Sequence, residues 1–290
     1  SVLFVARKPY FTILRQAAHL IDQGFSVFIL YSKQVERNVE ETFNTTFTYA
    51  LQIPDYVPLF EKIIAKSKVD VLHIQAWMFD YAFAAWLVSL KIRPPIVVEF
   101  YDITSLYAPE EKLKENWNHN LVELDIEMEG VILRKSDGVI TRFDEAAITH
   151  LKSFHGDVAP ILKFWPFPSS KFAFSTNNFK TLDIENLSTV FAGGVFPINE
   201  AHPATLFPGR GFLSAAKKLL EQGISVDVLH DPNRPIKDEQ DVLTTYIDLA
   251  MADPRFRFTD GHSPNKVAEE LAKYDFGLIL FDIPPEVLEN

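Results

Sequence analysis

Short, unbroken apolar runs alternate along this chain with longer stretches in which apolar residues return every three or four positions. Val2-Leu3-Phe4-Val5-Ala6 is the first run. Behind it Ile13, Leu14, Ala17, Ala18 and Ile21 fall on one face of a helix predicted over about Tyr10–Gln23, with Gly24 as its left-handed stop and a buried strand ending at Leu30. The same passage returns 199 positions later. His19-Leu20-Ile21-Asp22-Gln23-Gly24-Phe25-Ser26-Val27-Phe28-Ile29-Leu30 is matched by Lys218-Leu219-Leu220-Glu221-Gln222-Gly223-Ile224-Ser225-Val226-Asp227-Val228-Leu229, again after an apolar strand, Thr189-Val190-Phe191-Ala192. A strand, a helix and a strand with a short exit loop open a doubly wound parallel sheet, so two such openings predict an α/β chain with two parallel-sheet domains facing a cleft.

The elements between follow the same alternation. Strands are predicted at Val69–Ile74, Ile96–Phe100, Asp137–Thr141 and Ala159–Lys163, with helices at Tyr81–Leu90, about Pro109–Lys135, and Glu145–Phe154 capped by Asp144. On the long central helix Trp117, Leu121, Leu124, Met128 and Val131 form the expected core-facing stripe. Further strands are predicted at Val226–Leu229, Phe256–Thr259 and Phe276–Phe281, and Ser263-Pro264 reads as a helix start. This gives a first domain over 1–170, a linker over 171–187 and a second domain over 188–290 that is expected to continue past its last strand. The region Phe164–Leu187, with aromatics between Lys163 and Lys171, leaves peripheral membrane contact open. Its lack of helical periodicity favours an interdomain hinge with inward-packed aromatics.

Composition narrows the function. With 47% hydrophobic residues and 25 Phe, 290 residues are a globular chain. A net charge of −11 argues against an extended nucleic-acid footprint, but helix N-termini and a few cations still suffice for a small diphosphate. The lack of cysteine removes disulfides, thiolate chemistry and cysteine-held zinc and fits a cytoplasmic location. The longest apolar run, Ala82–Leu90, is too short to span a bilayer, and the chain enters its first strand too early for a signal peptide.

Loops after the carboxyl ends of parallel strands are where ligands bind. They carry Arg7, Lys8, Gln75, Trp77, Tyr101, Asp102 and Arg142 in the first domain, and Gly193-Gly194, His230-Asp231 and Asp260-Gly261-His262 in the second. Gly193-Gly194 allows close backbone approach and amides turned to a phosphate, or is simply a tight turn. Gly209-Arg210-Gly211 imitates a dinucleotide motif, but a Pro-rich loop separates it from the strand, so it reads as a helix start carrying an arginine towards an anion or into solvent. Asp102 is a polar anchor, a base, or a helix cap. The eight histidines show no metal-ligand spacing, so no metal site is expected.

Three segments, Val69-Asp70-Val71-Leu72-His73-Ile74-Gln75-Ala76-Trp77, Ile96-Val97-Val98-Glu99-Phe100-Tyr101-Asp102 and Leu133-Arg134-Lys135-Ser136-Asp137-Gly138-Val139-Ile140, resemble in order and spacing the landmarks of GT-B glycosyltransferases. The nearest match is the retaining family that includes sucrose and trehalose-phosphate synthases and bacterial polysaccharide and lipid-sugar transferases. Val190-Phe191-Ala192-Gly193-Gly194 is similar to that family's first donor-domain strand and glycine loop, and Phe256–His262 with Lys266–Leu280 to its donor-side strand, helix and strand. The resemblance spans essentially the whole chain. It implies two Rossmann-like domains and metal-independent hexosyl transfer from a nucleotide-sugar to an acceptor hydroxyl, with no cofactor besides that donor. It places Gly193, Gly194, Arg210, Gly211, Gly261 and His262 on the donor side, Arg7, Lys8, Gln75, Trp77 and Tyr101 on the acceptor side, and Asp102 at the chemistry. The chain departs from the family where Gln75 and Tyr101 replace common histidines, where Val195 replaces a diphosphate-binding arginine, and in having no Glu-x7-Glu segment before Asn290. A degenerate GT-B nucleotide- or partner-binding protein and a nucleotide-sugar epimerase are the alternatives.

Overall fold

The computed structural model describes residues 1–9, 11–33, 43, 46–78, 80–107, 110–116, 118–164, 181–195 and 212–278. The chain divides into two compact units, Ser1–Ser169 and Ser170–Asn290. The first holds strands β1 (Val2–Ala6), β2 (Val27–Tyr31), β3 (Tyr49–Gln52), β4 (Val71–Ala76), β5 (Ile96–Phe100), β6 (Gly138–Thr141) and β7 (Ile161–Lys163). They form one seven-stranded sheet in the order β3-β2-β1-β4-β5-β6-β7, every pair parallel. The order turns between β1 and β4, which makes that the topological switch point.

Helix α1 (Phe11–Asp22) follows β1, and Gly24 ends the connection at φ +86°, a conformation glycine adopts without strain. Its Ile13, Leu14 and Ala17 pack with Phe4, Ala6, Val27 and Ile29 on one face of the sheet. The opposite face carries the larger core, in which Leu72, Ile74, Ile96 and Val98 meet helices α2 (Val57–Lys66), α3 (Tyr81–Val88) and the residues that follow β5.

The long helix expected over Pro109–Lys135 is corrected. After a short α4 (Thr104–Tyr107), α5 (Glu110–Asn116) ends and α6 (His119–Lys135) starts afresh on Asn118, whose side chain accepts from Asn120 N–H. The expected apolar stripe holds in part: Met128 and Val131 pack against the core, whereas Leu121 and Leu124 are exposed and Val122, Asp125, Glu129, Ile132 and Leu133 face inward. Trp117 lies outside the described residues. Asp125 and Glu129 can face inward because each carboxylate finds hydrogen-bond donors there. Helix α7 (Glu145–His155) is capped by Asp144, which accepts from Ala147 N–H at 2.9 Å.

The second unit repeats the plan. Strands β8 (Ser188–Ala192), β9 (Ser225–His230), β10 (Phe256–Asp260) and β11 (Phe276–Gly277) pair in parallel in the order β10-β9-β8-β11. Helices α8 (Leu213–Glu221), α9 (Thr244–Ala252) and α10 (Pro264–Leu271) accompany them, and Phe212, Ala216, Leu220, Val226, Val228, Tyr246 and Phe256 make the core. Gly223, at φ +83°, reproduces the turn at Gly24. Two Rossmann-like parallel-sheet units are thus present. Among the described residues no helix is long and apolar enough to cross a membrane.

Candidate functional site

At the carboxyl end of the first sheet, Arg7 follows β1 and spans two carboxylates. Its Nη2 donates to Asp55 Oδ2 at 2.5 Å and its Nη1 to Asp80 Oδ1 at 2.5 Å, with the Asp55 carboxylate also taking Nε. Asp55 comes from the loop after β3 and Asp80 from the loop after β4, so one guanidinium ties three loops together. Hydrogen bonding by Arg7 holds the Asp55 carboxyl below its ordinary range, whereas burial lifts that of Asp80 against the pull of Arg7. Lys8, the next residue, is half-buried.

Gln75 and Glu99 are register partners on β4 and β5, and parallel partners share a face of the sheet. That face is the one α1 covers over β1 and β2, since Gln75 Nε2 hydrogen-bonds Thr12 Oγ1 on α1. Deeper along it, His73 stacks on Phe4 at 4.5 Å and lies 3.4 Å from Glu99 Oε2, both buried. Nearer the rim, Trp77 lies against Tyr101 with ring centroids 4.7 Å apart. The Arg142 guanidinium sits 4.2 Å from the Tyr101 ring and donates to Asp102 Oδ1 at 2.9 Å. Asp102 is therefore engaged as an ion-pair partner rather than a helix cap, and its carbonyl accepts from Tyr81 O–H at 2.5 Å. Of the residues expected here, the structure brings Gln75, Trp77, Tyr101 and Asp102 to the ends of β4 and β5 with Arg142 beside them, and adds Thr12 and Arg15. Burial lowers the pKa of Arg15, half-buried on α1, and its proximity to Tyr101 opposes the shift.

Beneath the loop that carries Tyr101 and Asp102 lies a buried polar network. Thr104 O–H donates to Asp125 at 2.6 Å, Ser105 donates to Glu129 through both N–H (3.1 Å) and O–H (2.5 Å), and His155 Nε2 lies 2.7 Å from Glu129 Oε1. The loop after β5 is thus fastened to α3, α6 and α7 at once.

In the second unit, Gly193 and Gly194 follow β8, and Gly193 N–H donates to Leu229 O at 3.0 Å. Val195 N–H donates to Nδ1 of His230, a fully buried ring at the end of β9. Burial, and then the neighbouring Arg234, hold His230 below its usual pKa and favour a neutral ring able to accept that bond. Arg234 faces Glu239 side-on, through Nε at 2.8 Å and Nη2 at 2.6 Å. Its Nη1 lies beside the glycine loop, 3.5 Å from where a Cβ on Gly194 would stand. Asp231 and Asp260 accept from backbone N–H groups of Asn233 and Ile236. Arg210 and Gly211 lie outside the described residues. Arg234 was not singled out in the sequence; its signal is the turn His230-Asp231-Pro232-Asn233-Arg234-Pro235, which returns the chain towards the end of β8.

Gly261 is fixed by close approach. Its N–H donates to His230 O at 2.6 Å, and a Cβ there would fall inside van der Waals contact with the same oxygen. Gly261→Ala is expected to lower the stability of the second unit by about 1–3 kcal/mol, read as a lower thermal midpoint. An unchanged midpoint would contradict that contact. His262 is half-buried in the same loop. Among the described residues no three His, Asp or Glu side chains converge as a metal site would require.

No protein-family model matches the sequence, and no curated protein matches it. Among solved structures the chain is similar to Anabaena HepE, determined in complex with UDP and glucose, with a TM-score of 0.60 at 12% identity over 95% of this chain and 73% of that one. It also matches E. coli ADP-heptose LPS heptosyltransferase II, with a TM-score of 0.39 at 11% identity over 92% of this chain and 74% of that one, a score too low to inform the comparison. The likeness to HepE speaks for the fold: this is an α/β chain of two Rossmann-like parallel-sheet units, the GT-B class.

Proposed function

We propose that this chain is a glycosyltransferase that moves a hexosyl group from a nucleoside-diphosphate sugar to an acceptor hydroxyl, of the retaining kind its sequence landmarks resemble. The observation that carries the reading is the fold shared over 95% of the chain with a protein that holds UDP and glucose. Support comes from the carboxyl end of β8, where two successive glycines lack side chains that would bar a ligand from the backbone and a guanidinium stands beside Gly194. The leaving diphosphate needs its charge met as the bond to the sugar breaks. In this reading the Gly194 amide, Arg234 and, from the region outside the described residues, Arg210 meet it without a metal. On the acceptor side, Asp102 is the polar group nearest the chemistry, oriented by its ion pair with Arg142.

Calorimetric titration of UDP and GDP tests the reading. Wild type is expected to bind one of them, and Arg234→Ala to weaken it by about 1.5–3 kcal/mol, tenfold or more, through loss of a charge-assisted contact. Gly194→Val, which fills the space before Arg234 Nη1, is expected to abolish binding while the protein still melts cooperatively. Failure of wild type to bind either nucleotide would end the assignment.

A further inference from the structure

Two amide side chains on the α1 face of the first sheet are left with a polar end unpaired. Gln75 is 5% exposed, and while its Nε2 is bonded to Thr12, its Oε1 is buried and meets no hydrogen-bond partner. Turning the amide over would only exchange which end is paired. Gln16 Oε1 is likewise buried and without a partner. Gln16 stands four residues after Thr12 on α1, hence on the same helix face, so Thr12 lies between the two. Leaving a buried polar atom unpaired is costly, and native proteins seldom do so without a reason. Beside these amides the Trp77 and Tyr101 rings form a half-buried aromatic surface at the rim.

We infer that this strip is the acceptor subsite and that the acceptor is a saccharide. Resting on the transfer reading above, the inference goes further by naming the substrate class. The two amide oxygens call for a ligand rich in O–H donors, and a pyranose supplies several on one edge. Its apolar C–H face is suited to an aromatic ring, which a phosphorylated head group or a simple alcohol is not. Of the cations near the strip, Arg7 is matched by Asp55 and Asp80, and Arg142 by Asp102 and the Tyr101 ring. A site built to hydrogen-bond hydroxyls discriminates strongly against ligands that lack them, so Gln75 and Gln16 would set acceptor choice.

The test is retention of fluorescently labelled protein on a glycan array, with Gln75→Leu, Gln16→Leu and Trp77→Ala beside wild type, and UDP calorimetry and a thermal melt on each. Wild type is expected to retain at least one class of glycan. Each variant should lose at least tenfold of that retention while keeping its UDP affinity. Gln75→Leu and Gln16→Leu should melt at or above the wild-type temperature, because an unpaired amide has been removed; a purely structural role would lower the melt and leave retention intact. No glycan retained by wild type, or equal retention by the variants, would overturn the proposal, and would leave ordered water as what meets the amides. Absence of UDP binding in wild type would instead strike at the donor reading, independently of the array.

Discussion

Glu129→Ala is expected to cost the first unit about 3–5 kcal/mol, the range for removing one member of a buried charge network and stranding the rest. Glu129 is fully buried on α6, and its two oxygens receive Ser105 N–H, Ser105 O–H and His155 Nε2. Truncation leaves those donors in an apolar surround and opens a void where a carboxyethyl group was. Glu129→Gln should fall between, since the amide keeps the volume and one acceptor but loses the charge facing His155. Leu121→Ala, on the exposed side of the same helix, is the control and should stay within about 0.5 kcal/mol. Denaturant midpoints read with a probe in the first unit decide the matter, and a Glu129→Ala change under 1 kcal/mol would mean that the network contributes nothing net. The functional consequence follows from placement: Ser105 lies three residues after Asp102, so loosening it should also reduce the order of the Tyr101–Arg142 contact at the candidate acceptor site.

That network also shows what a sequence hides. The repeated strand–helix–glycine–strand passage was legible because solid apolar runs and a helical period are one-dimensional signals, and the sheets follow from them through right-handed parallel connection. Asp125 and Glu129 defeat the same logic. A carboxylate on a helix reads as solvent-facing, and only the distant donors Thr104, Ser105 and His155 turn these two inward, so the apolar residues Leu121 and Leu124 end up outside. Strand β3 was missed for a different reason. Tyr49-Ala50-Leu51-Gln52 is a short edge strand with no buried residue, and so lacks a core-facing pattern. At the candidate site, the carboxyl-end rule located Gln75, Trp77, Tyr101, Asp102 and the glycine pair. It could not find Arg234 or the Thr12–Gln16 edge of α1, whose place depends on how a turn and a helix pack against strands remote in sequence.

Arg7→Ala is expected to destabilise the first unit by about 1–3 kcal/mol at pH 7, between the values for exposed and for buried pairs, because the Arg7, Asp55 and Asp80 side chains are each about one-third exposed (31%, 34% and 32%). The pH dependence carries the sharper prediction. Asp55 has a lowered folded-state pKa, chiefly through its hydrogen bond to Arg7, so its contribution is present above the ordinary value of 3.8 and is lost as pH falls through the folded one. Asp80 has the opposite sign. Burial raises its pKa above 3.8, so its ionisation weakens the fold as pH rises, and Arg7 is what restrains that loss. Without Arg7 the Asp55 contribution disappears and the Asp80 penalty grows, and both effects widen the gap between wild type and variant from acid towards neutral pH. Stability curves at pH 7, 5 and 3.5 should therefore show a gap that narrows steadily towards the lowest pH. Asp80→Asn in the Arg7→Ala background should recover part of the loss at pH 7, since the buried carboxylate that lacked its counterion is then gone. A gap independent of pH would show that Arg7 acts through packing of its aliphatic stem and not through its two carboxylates.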